Sequence, residues 1–183
     1  LWVTHAQNVS PSTGFNLDYK SRGTRGQYEW QGAREKNLSF AFSHTGKKYS
    51  VHAGYIYNMG NLKENGGILR DRDITDTVFE RPELLDVRLN DARNLFKNNT
   101  FYVVQSYGVP LRQLTDEDFS IARNSTIFFG YSFLYSRFYK RYTDTRAESG
   151  DFYENWYVSP ERSYDSIFES LLSNRLFVQI QPW

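Results

Sequence analysis

The chain has 183 residues, with 22 basic and 21 acidic side chains for a net charge of +1, an aromatic content of 17% and no cysteine. No block of five like charges occurs, which excludes a nucleic-acid tail, and the missing thiols exclude disulfide scaffolds, thiolate zinc sites and cysteine nucleophiles. Mean hydropathy is -0.65 and no apolar run approaches the about eighteen residues of a membrane helix, so apolar character resides instead in 14 Phe and 14 Tyr, residues that favour strands and apolar–aqueous boundaries.

Period-two alternation runs along the whole chain. Residues 1–9 are a strand candidate that begins with the first residue, and "LWVTHAQNVSPS" lacks the charged and apolar regions of a signal peptide. In "TGFNLDYKS", Phe15, Leu17 and Tyr19 share one side and Asn16, Asp18 and Lys20 the other. Leu38, Phe40 and Phe42 oppose Ser39, Ala41 and Ser43. In "YSVHAGYIYNMG", Tyr49, Val51, Ala53, Tyr55 and Tyr57 oppose Ser50, His52, Gly54 and Asn58. "NTFYVVQSYGV" is less clean, with Phe101 and Val103 against Tyr102 and Val104.

The most telling stretch is "STIFFGYSFLYSRFYKRY", residues 125–142, with eight rings in eighteen positions. Ile127, Phe129, Tyr131, Phe133 and Tyr135 form one side, Gly130, Ser132 and Ser136 the other, and Phe128 and Leu134 break the pattern. The rings then give way to Arg137 and Arg141, as an aromatic girdle gives way to a headgroup zone. Finally, in "NRLFVQIQPW" Leu176, Val178 and Ile180 oppose Arg175, Gln179 and Gln181.

The spacing predicts six or seven strands of about nine to eleven residues, the length of a tilted bilayer-crossing strand rather than the usual five or six. Connections alternate: 10–12 and 45–48 are tight and 110–124 moderate, whereas 22–35, 59–97 and 138–172 are long. The expected fold is therefore all-β, a portion of an antiparallel transmembrane up-and-down β-barrel with brief turns at one rim and long extracellular loops at the other. A soluble β-sandwich would produce the same alternation and is the competing architecture.

Four segments add a resemblance: "YKSRGTRGQYEWQ" (19–31), "ENGGI" (64–68), "SYGVPL" (106–111) and "LLSNRLFVQIQPW" (171–183). Their order and spacing resemble the putative porin family of Bacteroidetes, outer-membrane β-barrels, over nearly the whole chain. The resemblance implies localisation in the bacterial outer membrane and a single barrel domain of which residues 1–183 are an internal portion, incomplete at both ends. An even strand set of eight or more in bacterial barrels leads to the same expectation.

Candidate sites are passive. Asn16, Asp18, Lys20, Ser39, Ser43, His52, Asn58, Ser132, Arg175, Gln179 and Gln181 are expected to face a lumen, either open or sealed by hydrogen bonds. Phe129, Tyr131, Phe133 and Tyr135 are expected to face lipid, and Arg70, Asp71, Arg72 and Asp73 to set solute selectivity if their long loop folds inward. His44 and His52 fall roughly level across a short turn, but no third ligand joins them or His5, so no metal is expected. The acidic runs 70–76 and 115–118 lack a calcium loop's glycine and read as solvated charge, and "GTRG" (23–26) lacks the glycines and lysine of a phosphate loop.

No cofactor and no catalysis are expected. The primary functional reading is porin-like diffusion of small polar solutes. A plugged barrel serving a larger surface assembly is the second reading, and a carbohydrate-binding aromatic sandwich the third. Expected partners are membrane lipid and lipopolysaccharide, with other outer-membrane subunits or lipoproteins for the second reading, and no nucleic acid.

Overall fold

In the computed structural model, residues 1–69, 81–110, 126–145, 152–153 and 162–181 are described. They form one antiparallel sheet of seven strands in sequence order: β1 (Trp2–Ser10), β2 (Thr13–Thr24), β3 (Ala33–Thr45), β4 (Tyr49–Lys63), β5 (Arg93–Pro110), β6 (Thr126–Asp144) and β7 (Ser163–Gln181). Every strand pairs with its chain neighbour, and β1 and β7 are the free edges. With seven antiparallel strands those two edges run in the same direction, so the sheet is open in this chain.

The strands outrun their expected length. β4 spans 15 residues, β5 18, and β6 and β7 19 each. Alternation marks only the portion with one apolar side; beyond Asn99 and Arg137 both sides mix charges with rings and aliphatic groups, as in Lys97, Tyr139, Phe96 and Lys140, while the ladder hydrogen bonds continue, down to Arg93↔Thr143. The long connections shrink accordingly, to 25–32, 64–92 and 145–162. The short connections occupy one rim, as expected.

Because directly paired residues share a face, the register sorts every strand position into two sets. One row reads Leu17, Phe40, Tyr55, Phe101, Tyr135 and Leu172. Another reads Asp18, Ser39, Ile56, Thr100, Ser136 and Leu171. We call these the ring-bearing and polar faces. On the ring-bearing face the apolar segment slides across the sheet: β2 and β3 carry it level with Phe15 and Phe42, whereas β5 to β7 carry it on to Val109, Ile127 and Ile180, past the β1–β2 turn. Strands tilted against a horizontal apolar band give this slide.

Two of the residues that break alternation, Tyr102 and Phe128, share a cause that Leu134 and Val104 do not. Tyr102 pairs with Gly54, Phe96 with Gly60, Phe128 with Gly108 and Phe177 with Gly130, all on the polar face. In each pair the ring lies where the glycine's missing side chain would stand. Tyr102 and Phe128 are therefore cover for a bare backbone, the aromatic rescue of strand glycines, rather than misplaced core residues.

The sheet has no second layer among the described residues, and the soluble sandwich does not occur there. The buried apolar side chains are Leu85, Leu89 and Ala92, all in the β4–β5 connection. Phe129 remains 54% exposed and Leu176 84%. In the "ENGGI" segment Gly66 and Gly67 adopt φ of 65° and 90°, which lets Leu89 donate its N–H to Asn65 and Ile68 bridge Val87. A short 3-10 turn, Pro82–Leu84, precedes the return into β5.

An added Cβ on Gly54 would stand 2.5 Å from the Tyr102 ring. Gly54→Ala is expected to lower stability by about 1–3 kcal/mol, as overpacking does. In a double-mutant cycle read by urea unfolding in detergent, Tyr102→Ala should recover part of that loss.

Candidate functional site

The residues expected to line an interior all fall on one side. Asn16, Asp18 and Lys20 of β2, Ser39 and Ser43 of β3, and His52 and Asn58 of β4 occupy polar-face positions, as do Ser132 of β6 and Arg175, Gln179 and Gln181 of β7. Phe129, Tyr131, Phe133 and Tyr135 occupy the other face. Arg70, Asp71, Arg72 and Asp73 lie outside the described residues, as do residues 115–118.

The polar face is internally paired. Asp18 accepts from Trp2 Nε1 at 2.8 Å and Thr4 Oγ1 at 2.6 Å, and Arg22 meets Glu35 at 2.8 Å. Hydroxyl pairs cross the strands, Ser50 with Ser106 at 2.8 Å and Thr100 with Ser136 at 2.9 Å. Lys20 lies over the Trp2 ring at 5.2 Å. This network can hold water and ions against a hydrogen-bonding wall.

The ring-bearing face handles its polar atoms differently. Three amides interrupt its apolar segment, and each accepts from a tyrosine hydroxyl on the next strand: Gln105 from Tyr49 at 2.8 Å, Asn99 from Tyr55 at 2.8 Å and Asn174 from Tyr131 at 2.6 Å. Such mutual pairing lowers the cost of placing both groups in an apolar medium.

His44 and His52 lie roughly level across the β3–β4 turn, as expected, but on opposite faces of the sheet. His44 pairs with Val51 and His52 with Ser43, so the one-residue offset sends the rings to opposite faces. His44 Nδ1 contacts Thr13 Oγ1 at 2.7 Å, and His5 packs against Phe15.

Two features at the long-loop rim were not anticipated from the sequence. On the polar face, Tyr142 and Asp144 at the end of β6 meet Tyr153 of the β6–β7 connection: Tyr142 donates to Tyr153 at 2.6 Å, and Tyr153 donates to Asp144 at 3.0 Å. Burial, then these two contacts, push the Tyr153 phenol above its usual range. On the ring-bearing face, cations follow the rings: Arg34 and Lys36 in β3, Lys63 in β4, Arg93 and Lys97 in β5, and Arg137 and Arg141 in β6. No Asp or Glu occupies any strand position on that face.

The 25–32 connection folds against these cations. Trp30 sits at φ 52°, a conformation costing a non-glycine residue about 1–3 kcal/mol. It is held by donation of Nε1 to the Ala92 carbonyl at 2.8 Å, with Lys63 and Arg93 over its ring at 4.1 and 5.1 Å. The result is a groove of about 600 Å³ whose walls set the cations Arg25, Arg34, Lys63 and Arg93 against one carboxylate, Glu29, with Tyr28 and Trp30 between them. Its sequence signal was available, because Arg34, Lys36 and Lys97 continue the period-two positions of the apolar residues that follow them.

A family model described as Putative porin matches residues 1–182. No curated protein and no solved structure matches the chain.

Because the folded protein favours the neutral Tyr153 phenol, its stabilising contribution is complete below the free-tyrosine range near pH 10 and is lost as pH rises above it. In an ultraviolet phenolate titration, Tyr153→Phe should remove a late-titrating component; an unchanged alkaline limb would contradict the contact with Asp144.

Proposed function

The chain belongs to the Putative porin family, and from that premise we propose that its sheet is part of an outer-membrane β-barrel through which small polar solutes diffuse. The observation that carries the reading is the chemical difference between the two faces of a single-layer sheet. The ring-bearing face meets hydrocarbon and the polar face lines an aqueous lumen. In water, the exposed band from Phe40 to Ile180 would be an association surface far larger than soluble monomers tolerate. In a bilayer it is the favoured lining, provided the ladder edges are also satisfied.

The free edges are satisfied by further strands. Since β1 and β7 run in the same direction, an all-antiparallel closure needs an odd number of additional strands. The short-turn rim then faces the periplasm, and the connections 25–32, 64–92 and 145–162 lie outside. The bilayer-crossing part of β6 is the stretch from Ile127 to Tyr135; the rest of the strand projects beyond it. The role is passage rather than catalysis, and solute preference follows from the charges on the polar face, Asp18, Lys20 and Arg175 among them, together with those of Arg70, Asp71, Arg72 and Asp73.

One observation favours the second reading, a plugged barrel that serves a larger surface assembly. Tyr153 of the β6–β7 connection bonds to Tyr142 and Asp144 on the polar face, which sets its ring on the lumen side. A side chain held there narrows a pore or helps to seal it.

Single-channel recordings of the full-length protein in planar bilayers separate the two. The porin reading expects steady open-channel current, with ion preference moving toward cations in Arg175→Glu. A bilayer that stays silent with correctly inserted protein supports the plugged barrel, and unchanged ion preference in Arg175→Glu counts against the polar face as the conducting wall.

A further inference from the structure

We infer that the cationic groove at the long-loop rim of the ring-bearing face binds a phosphorylated glycolipid headgroup of the outer leaflet; this rests on the outer-membrane reading above and names a ligand class for a surface that conduction does not use. Three observations converge on it.

Position comes first. The groove lies beyond the apolar stretch of β3: Arg34 is two ring-bearing-face positions past Leu38 and pairs with Asn61 of β4, next to Lys63 and Arg93. With the long connections outside, that level is the outer headgroup layer.

Charge comes second. On the polar face Arg22 meets Glu35 at 2.8 Å and Asp18 accepts from Trp2 and Thr4. On the ring-bearing face Arg34, Lys36, Lys63, Lys97, Arg137 and Arg141 meet no carboxylate among the described residues, and Arg93 meets Asp91 only at 3.8 Å. Cations held beside hydrocarbon without anions of their own are costly, and the anions that repay the cost there are lipid phosphates. Because the cations extend laterally over four adjacent strands, they match a sheet of phosphates better than one small soluble anion.

Shape and ring chemistry come third. Trp30 and Tyr28 give the groove a flat apolar wall of the kind a sugar ring packs against, next to the guanidinium groups of Arg25, Arg34 and Arg93. Guanidinium forks pair with phosphate in two-pronged fashion. Trp30 is fixed there by its hydrogen bond to Ala92 despite an unfavourable φ, so the wall is formed before any ligand arrives. No run of glycines aims backbone N–H groups at an anion, which distinguishes the groove from a nucleotide-phosphate loop.

The test uses the full-length protein in detergent, with retained lipid read by native mass spectrometry. Diphosphoryl lipid A should be retained and its dephosphorylated form should not. The combined Arg34→Gln, Lys63→Gln and Arg93→Gln variant should bind the diphosphoryl form about ten-fold or more weakly, while Lys47→Gln with Lys48→Gln, at the opposite rim, should leave binding unchanged. Equal retention of both lipids, wild-type affinity in the triple variant, or displacement by inorganic phosphate alone would each overturn the assignment. Heat-modifiable gel migration is recorded on the same samples. If it is present without phosphate-dependent retention, only this inference fails; if it is absent, the barrel reading fails and takes the inference with it.

Discussion

The described residues form seven strands joined by consecutive ladders of backbone hydrogen bonds, and almost nothing among those residues packs against the sheet. A sheet in water hides at least one face under a helix or a second sheet. Here the buried apolar side chains, Leu85, Leu89 and Ala92, belong to a loop, and neither face of the sheet is covered among the described residues. The cover must come from outside these residues. Hydrocarbon suits one face because it is apolar and ring-rich, and an aqueous interior suits the other because its donors and acceptors are already paired.

The same division explains details that otherwise look unrelated. Amides interrupt the apolar segment of the ring-bearing face only where a tyrosine hydroxyl reaches them, as at Gln105, Asn99 and Asn174. Gly54, Gly60, Gly108 and Gly130 sit on the polar face under rings from the neighbouring strand. Carboxylates are confined to the polar face of the strands, while cations on the other face gather beyond the rings at one rim. Each placement lowers the cost of a polar group near an apolar medium, either by pairing it or by moving it to the boundary.

Much of this was legible in the sequence because period-two alternation is a local signal. The division between Phe129, Phe133 and Tyr135 and their serine neighbours needed no knowledge of what the strand pairs with, and neither did the family resemblance. Strand ends were less legible: above Arg137 and below Asn99 both sides mix charged and apolar residues, so alternation vanishes while hydrogen bonding to the next strand continues. Tyr102 and Phe128 looked like errors in the pattern because their reason lies across the ladder, at Gly54 and Gly108. The offset that separates His44 from His52 likewise depends on pairing. The cations at the groove could be read from their period-two positions, but the aromatic wall beside them could not, because Trp30 reaches Ala92 across sixty-two residues of sequence.

The most direct test follows the two environments along β6. The chain has no cysteine, so single spin labels can be placed without background. In the full-length protein in bilayers, labels at positions 129, 133 and 135 should collide readily with oxygen, which partitions into lipid. Labels at 132 and 136 should respond instead to a water-soluble nickel chelate, with the preference reversing at each step of one residue. Labels at 129, 133 and 135 shielded from both reagents would mean that these rings lie in a packed, water-soluble core, which contradicts a sheet with hydrocarbon on one face and water on the other.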